Sequence, residues 1–579
     1  MRVHYPRTSH LPWSPGATPD DVRAGDLSGL RGREVVVTEK LDGENTTLYR
    51  DGLHARSLDS AHHPSRAWVK GLQGRVGGRI PPGVRVCGEN LYARHSLAYS
   101  GLESWFYGFS VWDGERCLDW DRTVSFLREL GIPVPPVLWR GEFDERVLRG
   151  LRLDSERQEG YVVRLAEGFD RAEFAGRVAK WVRRDHVRTG THWMHAPVVP
   201  NVLGPSSALW AVRSGTETDL TALLTAVDFG PDDSSDALGG GSDAGAVGEV
   251  AARLDAIGRG GDARLAGVLA VALRSVPRVR LAARLARSVG MPLARRVADL
   301  AGLYPALHRP FPDEERRAGL GRMALAADLG VLHAVSAAAL TGQAEMADAR
   351  EQVAWSALHA EDAGLLGPDP LEPLRSGLRE ALSELDGEAA GRCWAEARAA
   401  WAAGRIATAE QAVAATWRWR AGRFPRLVHL VGPSGSGKST FAAGLAGNAV
   451  HVSLDGLRAA RGSRAVQRDN GAVLAEGLDR LDAALAEGAT VVWDATSLNP
   501  HQRNLVHAVA RRRDACTTQV VFLVEEVELG RRNASRPHAV PAGVLASQVR
   551  RFAPPYPGQA HRTWYVGEHG TVDDRDGWP

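Results

Sequence analysis

The chain has 579 residues, 44% of them hydrophobic, and a formal net charge of +2. At about 100–200 residues per domain, that length implies several cores, and the near-neutral balance excludes a globally basic field, so any nucleic acid must be met by local grooves. Cys87, Cys117, Cys393 and Cys516 are scattered with no CxxC pair, which argues against a disulfide framework and a zinc knuckle. No apolar run reaches the ~18 residues of a membrane span, and the opening MRVHYPRTSHLPWSPG has no apolar signal core. The expectation is a cytoplasmic protein with no membrane partner.

In chain order, residues 1–204 read as mixed α/β. The runs REVVVTEKL, VRVCGENLY, WFYGFSVWD, EGYVVRL and RVAKWVR are rich in β-branched and aromatic residues and are separated by Gly, Pro and Asp turns. From 205 to 420 the strand runs vanish, and Ala, Leu and Arg recur at helical spacing, as in RVRLAARLARSVG. GPDDSSDALGGGSDAG, Gly230–Gly245, reads as a linker within this helical region. From 421 to 579 an α/β pattern returns, and the strand RLVHLV runs directly into GPSGSGKST.

That last junction is a P-loop. Gly432, Ser434, Gly435, Ser436, Gly437, Lys438, Ser439 and Thr440 fall in G-x-x-x-x-G-K-[ST], between an apolar strand and an apolar helix. Backbone N–H groups cradle phosphates there, Lys438 reaches the β/γ-phosphates, and the Ser439 hydroxyl is placed to ligate Mg²⁺. Downstream, VSLDGLR sets Asp455 at a strand end with Arg458 one turn on. VVWDATSLNPHQR sets Asp494 after a second strand, with Arg503 beyond. Either Asp can accept a proton or support Mg²⁺, and either can be an ordinary helix N-cap.

Together these pieces resemble the 5′-hydroxyl polynucleotide kinases. The resemblance implies Asp455 as general base and Arg458, Asp494 and Arg503 on the substrate side. It also implies a lid in RRNASRP whose Arg532 and Arg536 approach the ATP phosphates.

The N-terminal third turns on one residue type. Only four of the 71 basic residues are lysines, namely Lys40, Lys70, Lys180 and Lys438. Lys40 opens KLDG, which fits the nucleotidyl-transfer pattern K-x-D-G. A nucleophilic amine must shed its proton near neutral pH; a lysine does so when a nearby cation such as Lys180 or Mg²⁺ lowers its pKa, and an arginine cannot. Lys70, in SRAWVKGL, reads as an exposed helix lysine rather than an RNA-phosphate contact.

The ordered set KLDG, HARS, GEN, WFYGFSVWD, EGYVVR and AKWVR resembles the ATP-dependent RNA ligases of the covalent nucleotidyltransferase superfamily. The resemblance runs from about residue 30 to 200 and includes the tail HVRTGTHWMH. It implies an ATP-grasp-like α+β core in which Lys40 forms lysyl-AMP. Glu39 and Asn45 would flank the nucleotide, and Arg56 and Glu89 would contact ribose or the RNA end. Phe109 would stack on adenine, with Phe106 and Trp112 as alternatives. Glu159 would place the metal, and Lys180 would contact the α-phosphate. A second lysine usual two positions after Lys180 is Val182 here, with Arg183 beside it.

The helical middle carries little chemistry. His308, His333 and His359 lack the adjacent His-Asp pair of a metal phosphohydrolase, so the region is read as completing the ligase, binding RNA or joining two sites. The patch TWRWRAGR either stacks bases or packs as an amphipathic helix.

The whole is expected to be a multidomain α/β and α protein. Its parts are a nucleotidyltransferase domain over 1–204, a helical domain over 205–420 and a P-loop kinase with a parallel sheet over 421–579. ATP and Mg²⁺ or Mn²⁺ are the expected cofactors, and broken RNA ends, tRNA included, the expected partners. Two readings stand beside it: an ATP-regulated sensor of RNA damage, and the same two activities on nicked DNA.

Overall fold

A computed structural model describes residues 2–577 apart from 59–61, 155, 185–196, 231–241, 311–312, 344, 446, 448, 462–469 and 537. The tail HVRTGTHWMH and most of the glycine-rich stretch 230–245 lie outside the described residues. Contacts divide the chain into two compact units, Met1–Ala226 with Ala251–Leu265, and Val227–Val250 with Ala266–Pro579.

The first unit is α+β and holds two sheets. The five-stranded sheet runs in the order β1-β11-β9-β2-β8, from Ser9–His10 (β1), Val178–Val182 (β11), Gly160–Leu165 (β9), Glu34–Lys40 (β2) and Val137–Glu142 (β8). The six-stranded sheet runs β10-β7-β6-β5-β3-β4, from Phe169–Asp170, Arg116–Cys117, Phe106–Asp113, Val84–Asn90, Glu44–Tyr49 and Gly52–Ala55. β2 is buried from Val35 to Thr38 without alternation, as a strand covered on both faces should be.

Behind the six-stranded sheet, the helices Ala67–Val76 and Trp120–Leu130 fill a core with Leu72, Val76, Phe106, Val111 and Leu127. The second helix is sharply bounded. Asp119 accepts from Arg122 N at 2.8 Å at its start, and Gly131 ends it with φ 77°, a left-handed conformation a side chain resists. Lys70 is exposed on the first helix, as its sequence context implied.

The second unit joins most of the helical region to the P-loop portion. Its sheet has the order β13-β14-β12-β15-β16-β17 over Val450–Ser453, Thr490–Asp494, Arg426–Val431, Cys516–Phe522, Arg562–Val566 and Val572–Asp576. All pairings are parallel except β16 with β17. Parallel strands need cover on both faces, and helices such as Asn470–Ala486 and Pro500–Arg512 supply apolar side chains to the core around Leu427, Val491 and Trp493.

Among the described residues, 205–420 contain helices and no strand. Arginines from these helices reach the sheet's far edge. Arg295 pairs with Asp574 at 2.7 Å and Arg398 with Asp576 at 2.9 Å. In TWRWRAGR, Trp419 is buried between the guanidinium groups of Arg392 and Arg418, at 4.3 and 4.0 Å, whereas Trp417 is 72% exposed. His333 is buried and bonded to Leu329 O and Ser356 Oγ, a structural histidine. No single helix among the described residues is long and apolar enough to cross a membrane.

Candidate functional sites: two nucleotide-sized cavities

The first cavity, of about 960 Å³, lies between the two sheets of the first unit. Strand register creates it. β2 pairs antiparallel with β9 so that Lys40 faces Gly160, and the preceding Glu159 meets the lysine, with Nζ to Oε2 at 2.5 Å. β3 pairs with β5 so that Asn45 stands opposite Glu89, and Glu89 Oε1 accepts from Gly43 N at 3.2 Å. A Cβ on Gly43 would meet Asn90 O at 2.5 Å, which is why the fourth position of KLDG must be glycine. Asp42 is turned to architecture: its carboxylate accepts from Leu97 N and its own N–H donates to the Tyr99 hydroxyl, both at 2.8 Å.

Glu39, Lys40, Asn45, Arg56, Glu89, Phe109 and Lys180 all line this cavity. Of the three candidate aromatics, only Phe109 does so; Phe106 and Trp112 are fully buried in the cores on either side. The register shift in β5–β6 at Cys87/Gly88 changes how β6 alternates along its partner. Arg183 is absent from the lining, and Val182 is 2% exposed, so neither lines this cavity beside Lys180.

The electrostatics correct one expectation. Burial pushes the Lys40 ammonium toward neutrality, but the carboxylates of Glu159, Glu89 and Asp42 outweigh it and its pKa is raised. Lys180 alone therefore does not lower the Lys40 pKa. The lysine whose pKa falls is Lys180, through burial first and repulsion from Lys40 second. Glu89 is pushed up to about 8 by burial, opposed by Lys40 and reinforced by Glu159 and Asp42. Glu39 is also raised by burial, and Gln158 Nε2 donates to it at 2.9 Å.

Several lining residues escaped sequence reasoning. His4, Tyr5, Arg7 and Asp21 come from the N-terminal segment, which β1 ties beside Lys180 by pairing His10 with it. A two-residue strand carries no periodicity to read. Tyr5 meets Phe109 edge-on at 5.3 Å, and Arg164 donates to the Phe109 carbonyl. Glu44 and Arg66 form a buried ion pair on the wall.

The second cavity, of about 900 Å³, opens over the P-loop. Gly435 and Gly437 hold φ of 83° and 99°, the left-handed values that turn the loop's N–H groups inward. Gly432 anchors the loop by donating its N–H to Thr496 O at 2.9 Å, and Ser434 N donates to Gln548 Oε1 at 2.8 Å. Lys438 Nζ donates to Pro433 O at 2.6 Å, and burial lowers its pKa to about 8 against the pull of Asp494 and Asp455. Ser434, Gly435, Ser436, Gly437, Lys438, Ser439 and Thr440 line the cavity together with Asp455, Arg458, Asp494, Arg532 and Arg536.

The N-cap alternative fails for both aspartates. Ser453 caps the helix Leu454–Ala460, and Asn499 caps Pro500–Arg512 in a reciprocal box with Gln502. Asp455 is instead exposed and paired with Arg458 at 2.5 Å. The other two substrate-side residues part ways, and only the Arg503 expectation changes. Asp494 accepts from Ser439 Oγ at 2.9 Å, which places it at the phosphate-loop hydroxyl. Arg503 is 3% exposed, donates to Ser497 O at 3.2 Å and lies outside the lining, because the apolar face of its helix turns it inward. Gln502, one residue earlier, lines the cavity in its place, as do Glu568, His569 and Gly570 from the β16–β17 turn.

Residues 33–182, which carry Lys40, Glu159 and Lys180, match the RNA ligase family model. The first unit contains an RNA ligase domain. Residues 427–555 match an AAA domain model, a P-loop kinase-like domain. No curated protein matches the chain. Among solved structures, the Pnkp1/Rnl/Hen1 RNA repair complex is 24% identical over 23% of this chain and 49% of its own, with a TM-score of 0.21. A gluconokinase from Sinorhizobium meliloti 1021 is 22% identical over 26% and 86%, also at 0.21. APE1195 is 20% identical over 25% and 86%, at 0.19. This chain thus spans about half of the matched chain in the repair complex, and at these scores the likenesses carry no functional argument. The RNA ligase domain and the P-loop domain each bring a nucleotide-using fold, and both cavities fall largely within the matched residues.

Proposed function

We propose that the chain is a two-site RNA repair enzyme that phosphorylates a 5′-OH end and then joins it to a 3′-OH. The observation that carries the reading is the meeting of Lys40, Lys180 and Phe109 at one cavity inside the RNA ligase domain, with Glu159 paired to Lys40 from outside the lining.

In the ligase site, Phe109 stacks the adenine and Lys180 meets the α-phosphate. Lys40 Nζ attacks the α-phosphorus; an N–P bond forms, the bond to the β-phosphate oxygen breaks, and pyrophosphate leaves. The RNA 5′-phosphate then takes AMP from Lys40, and attack by the 3′-OH expels AMP as the strands join. In the resting site Glu159 keeps Lys40 charged, so Lys40 loses its proton once Glu159's charge is engaged elsewhere.

Buried Glu89, with its raised pKa, and Glu159 are hard oxygen donors around one lysine, and Ser439 with Asp494 is such a pair at the P-loop. Either set would hold a divalent cation through its oxygens, and the cation would supply positive charge beside the reacting phosphates.

In the kinase site, Lys438 and the loop amides hold the β- and γ-phosphates, and Arg532 and Arg536 close over them. Asp455 takes the proton of the 5′-OH as that oxygen attacks the γ-phosphorus and ADP leaves, while Arg458 orients both Asp455 and the end phosphate.

Two assays test the reading. With α-labelled ATP, wild type forms a covalent adduct and Lys40→Ala does not; an undiminished adduct in the variant sinks the ligase assignment. With γ-labelled ATP and a 5′-OH oligoribonucleotide, label transfer that survives both Lys438→Ala and Asp455→Ala refutes the kinase assignment. Parallel oligodeoxyribonucleotides decide between RNA and DNA.

A further inference from the structure

The helix Arg278–Val289 belongs to the region where sequence reasoning found least chemistry. Its apolar face is buried through Leu281, Leu285 and Val289. The arginines on its other side are spaced to contact the P-loop portion of the same unit. Arg280 pairs with Glu526 at 3.3 Å, and Arg287 pairs with Glu525 at 2.7 Å and with Glu568 at 3.1 Å. Glu525 and Glu526 begin the helix Glu526–Ala534, whose last turn carries Arg532.

Glu568 is the pivot. It sits in the β16–β17 turn and lines the P-loop cavity with His569 and Gly570. Arg287 holds its carboxylate with Nε and Nη2, at 3.1–3.2 Å. Arg532, from the other direction, donates to its backbone carbonyl. Arg532 also lines the cavity and is steadied by Glu528, at 2.6 Å from its Nε. The contact chain is thus continuous from the helical region through one glutamate to a guanidinium that lines the P-loop cavity. Neither Arg287 nor Glu568 lies within the matched residues 427–555.

We propose that Arg287 is a positioning residue for Arg532: by fixing Glu568 and the start of the lid helix, it sets where the lid arginine meets the nucleotide. The inference rests on the kinase reading above. It gives the helical region a task in the second site: it braces the lid. A fork-shaped guanidinium is needed because one group must hold two carboxylates at once, which a lysine's single ammonium does less well. The pairs are partly exposed, so the effect is graded rather than absolute.

The test uses the full chain and ATP with MgCl₂ in an equilibrium titration, followed by steady-state transfer to 5′-OH RNA. Arg287→Ala is expected to weaken ATP binding and raise KM for ATP about fivefold. KM for the RNA end stays unchanged, and so does adduct formation at Lys40, which also reports that the chain is folded. Arg287→Lys recovers part of the loss. Glu568→Gln weakens ATP less, because the carbonyl that Arg532 uses remains, and the double variant is no worse than Arg287→Ala alone.

Wild-type ATP affinity in Arg287→Ala, or fully additive losses in the double variant, overturns the brace. If the ATP site that Lys438→Ala abolishes, counted apart from the one at Lys40, weakens in Arg287→Ala, yet no phosphate reaches RNA, the polynucleotide kinase reading fails and the brace stands.

Discussion

Lys40 and Lys438 sit in cavities of nearly equal size, and burial pushes both toward neutrality, yet their pKa values move in opposite directions. At Lys40 the carboxylates of Glu159, Glu89 and Asp42 outweigh burial and the proton is retained. At Lys438 the nearest acceptors are Pro433 O and Ser436 Oγ, which carry no formal charge, and the pKa falls to about 8. The difference separates two uses of one side chain. On the proposed function, the lysine that becomes a nucleophile is stored behind an ion pair. A lysine that must bind phosphate waits poorly solvated, so that the ligand's own charge completes its environment.

The hardest way to break the comparison is to remove the ability to deprotonate. Lys40→Arg keeps the charge and the ion pair with Glu159 but should form no adduct with α-labelled ATP, a loss beyond about 10³-fold, because a guanidinium stays protonated at any working pH. Glu159→Gln attacks the ion pair itself. Adduct formation should fall about 10–100-fold through loss of the metal-side oxygen. The rising limb of its pH–rate profile should also move to lower pH, since the group that held the proton is gone; a limb that moves to higher pH would contradict the assignment.

A pair of variants, at Phe109 and Phe106, separates site from core. Phe109→Ala should raise KM for ATP about tenfold, or ~1.4 kcal/mol, with little change in melting temperature. Phe106→Ala, fully buried three positions away, should cost about 3–5 kcal/mol of stability, measured by denaturant unfolding.

The smallest effect concerns Glu89. Its folded-state pKa of about 8 lies above the ordinary 4.5, so the folded chain binds that proton more tightly and stability falls as pH rises from about 4.5 through about 8. Glu89→Gln removes the dependence. Its melting temperature should match wild type near pH 4.5 and exceed it by a few degrees at pH 8 in a calorimetric series.

The sequence made the two cavities legible because their chemistry is local. K-x-D-G and G-x-x-x-x-G-K-S are short, and each glycine answers a backbone demand visible in the fold, at Gly43 a close approach and at Gly435 and Gly437 a left-handed turn. The ladder of strands was readable for the same reason. What escaped is what tertiary pairing decides. The N-terminal residues reach the first cavity through a two-residue strand, and the β16–β17 turn reaches the P-loop cavity from beyond its matched residues. The balance at Lys40 is not legible either, because the sequence displays Lys180 and Glu159 equally, while only geometry sets Glu159 at 2.5 Å and leaves Mg²⁺ as the other cation. Arg503 was misplaced because a helix one residue out of phase puts Gln502 on the cavity and Arg503 in the core.

The parallel pairing of β1 with β11 also bears on how the chain matures. Ser9 is made first and its partner Ala179 far later, so the wall that Tyr5, Arg7 and Asp21 give the ligase cavity can close only after nearly the whole domain has been synthesised. Contacts so distant along the chain form slowly, because loop-closure entropy is lost before any bond is gained. During synthesis the KLDG strand is therefore complete long before its nucleotide cavity is. Adenylylation competence should appear as a late, separate step on the ribosome, after the six-stranded sheet has formed.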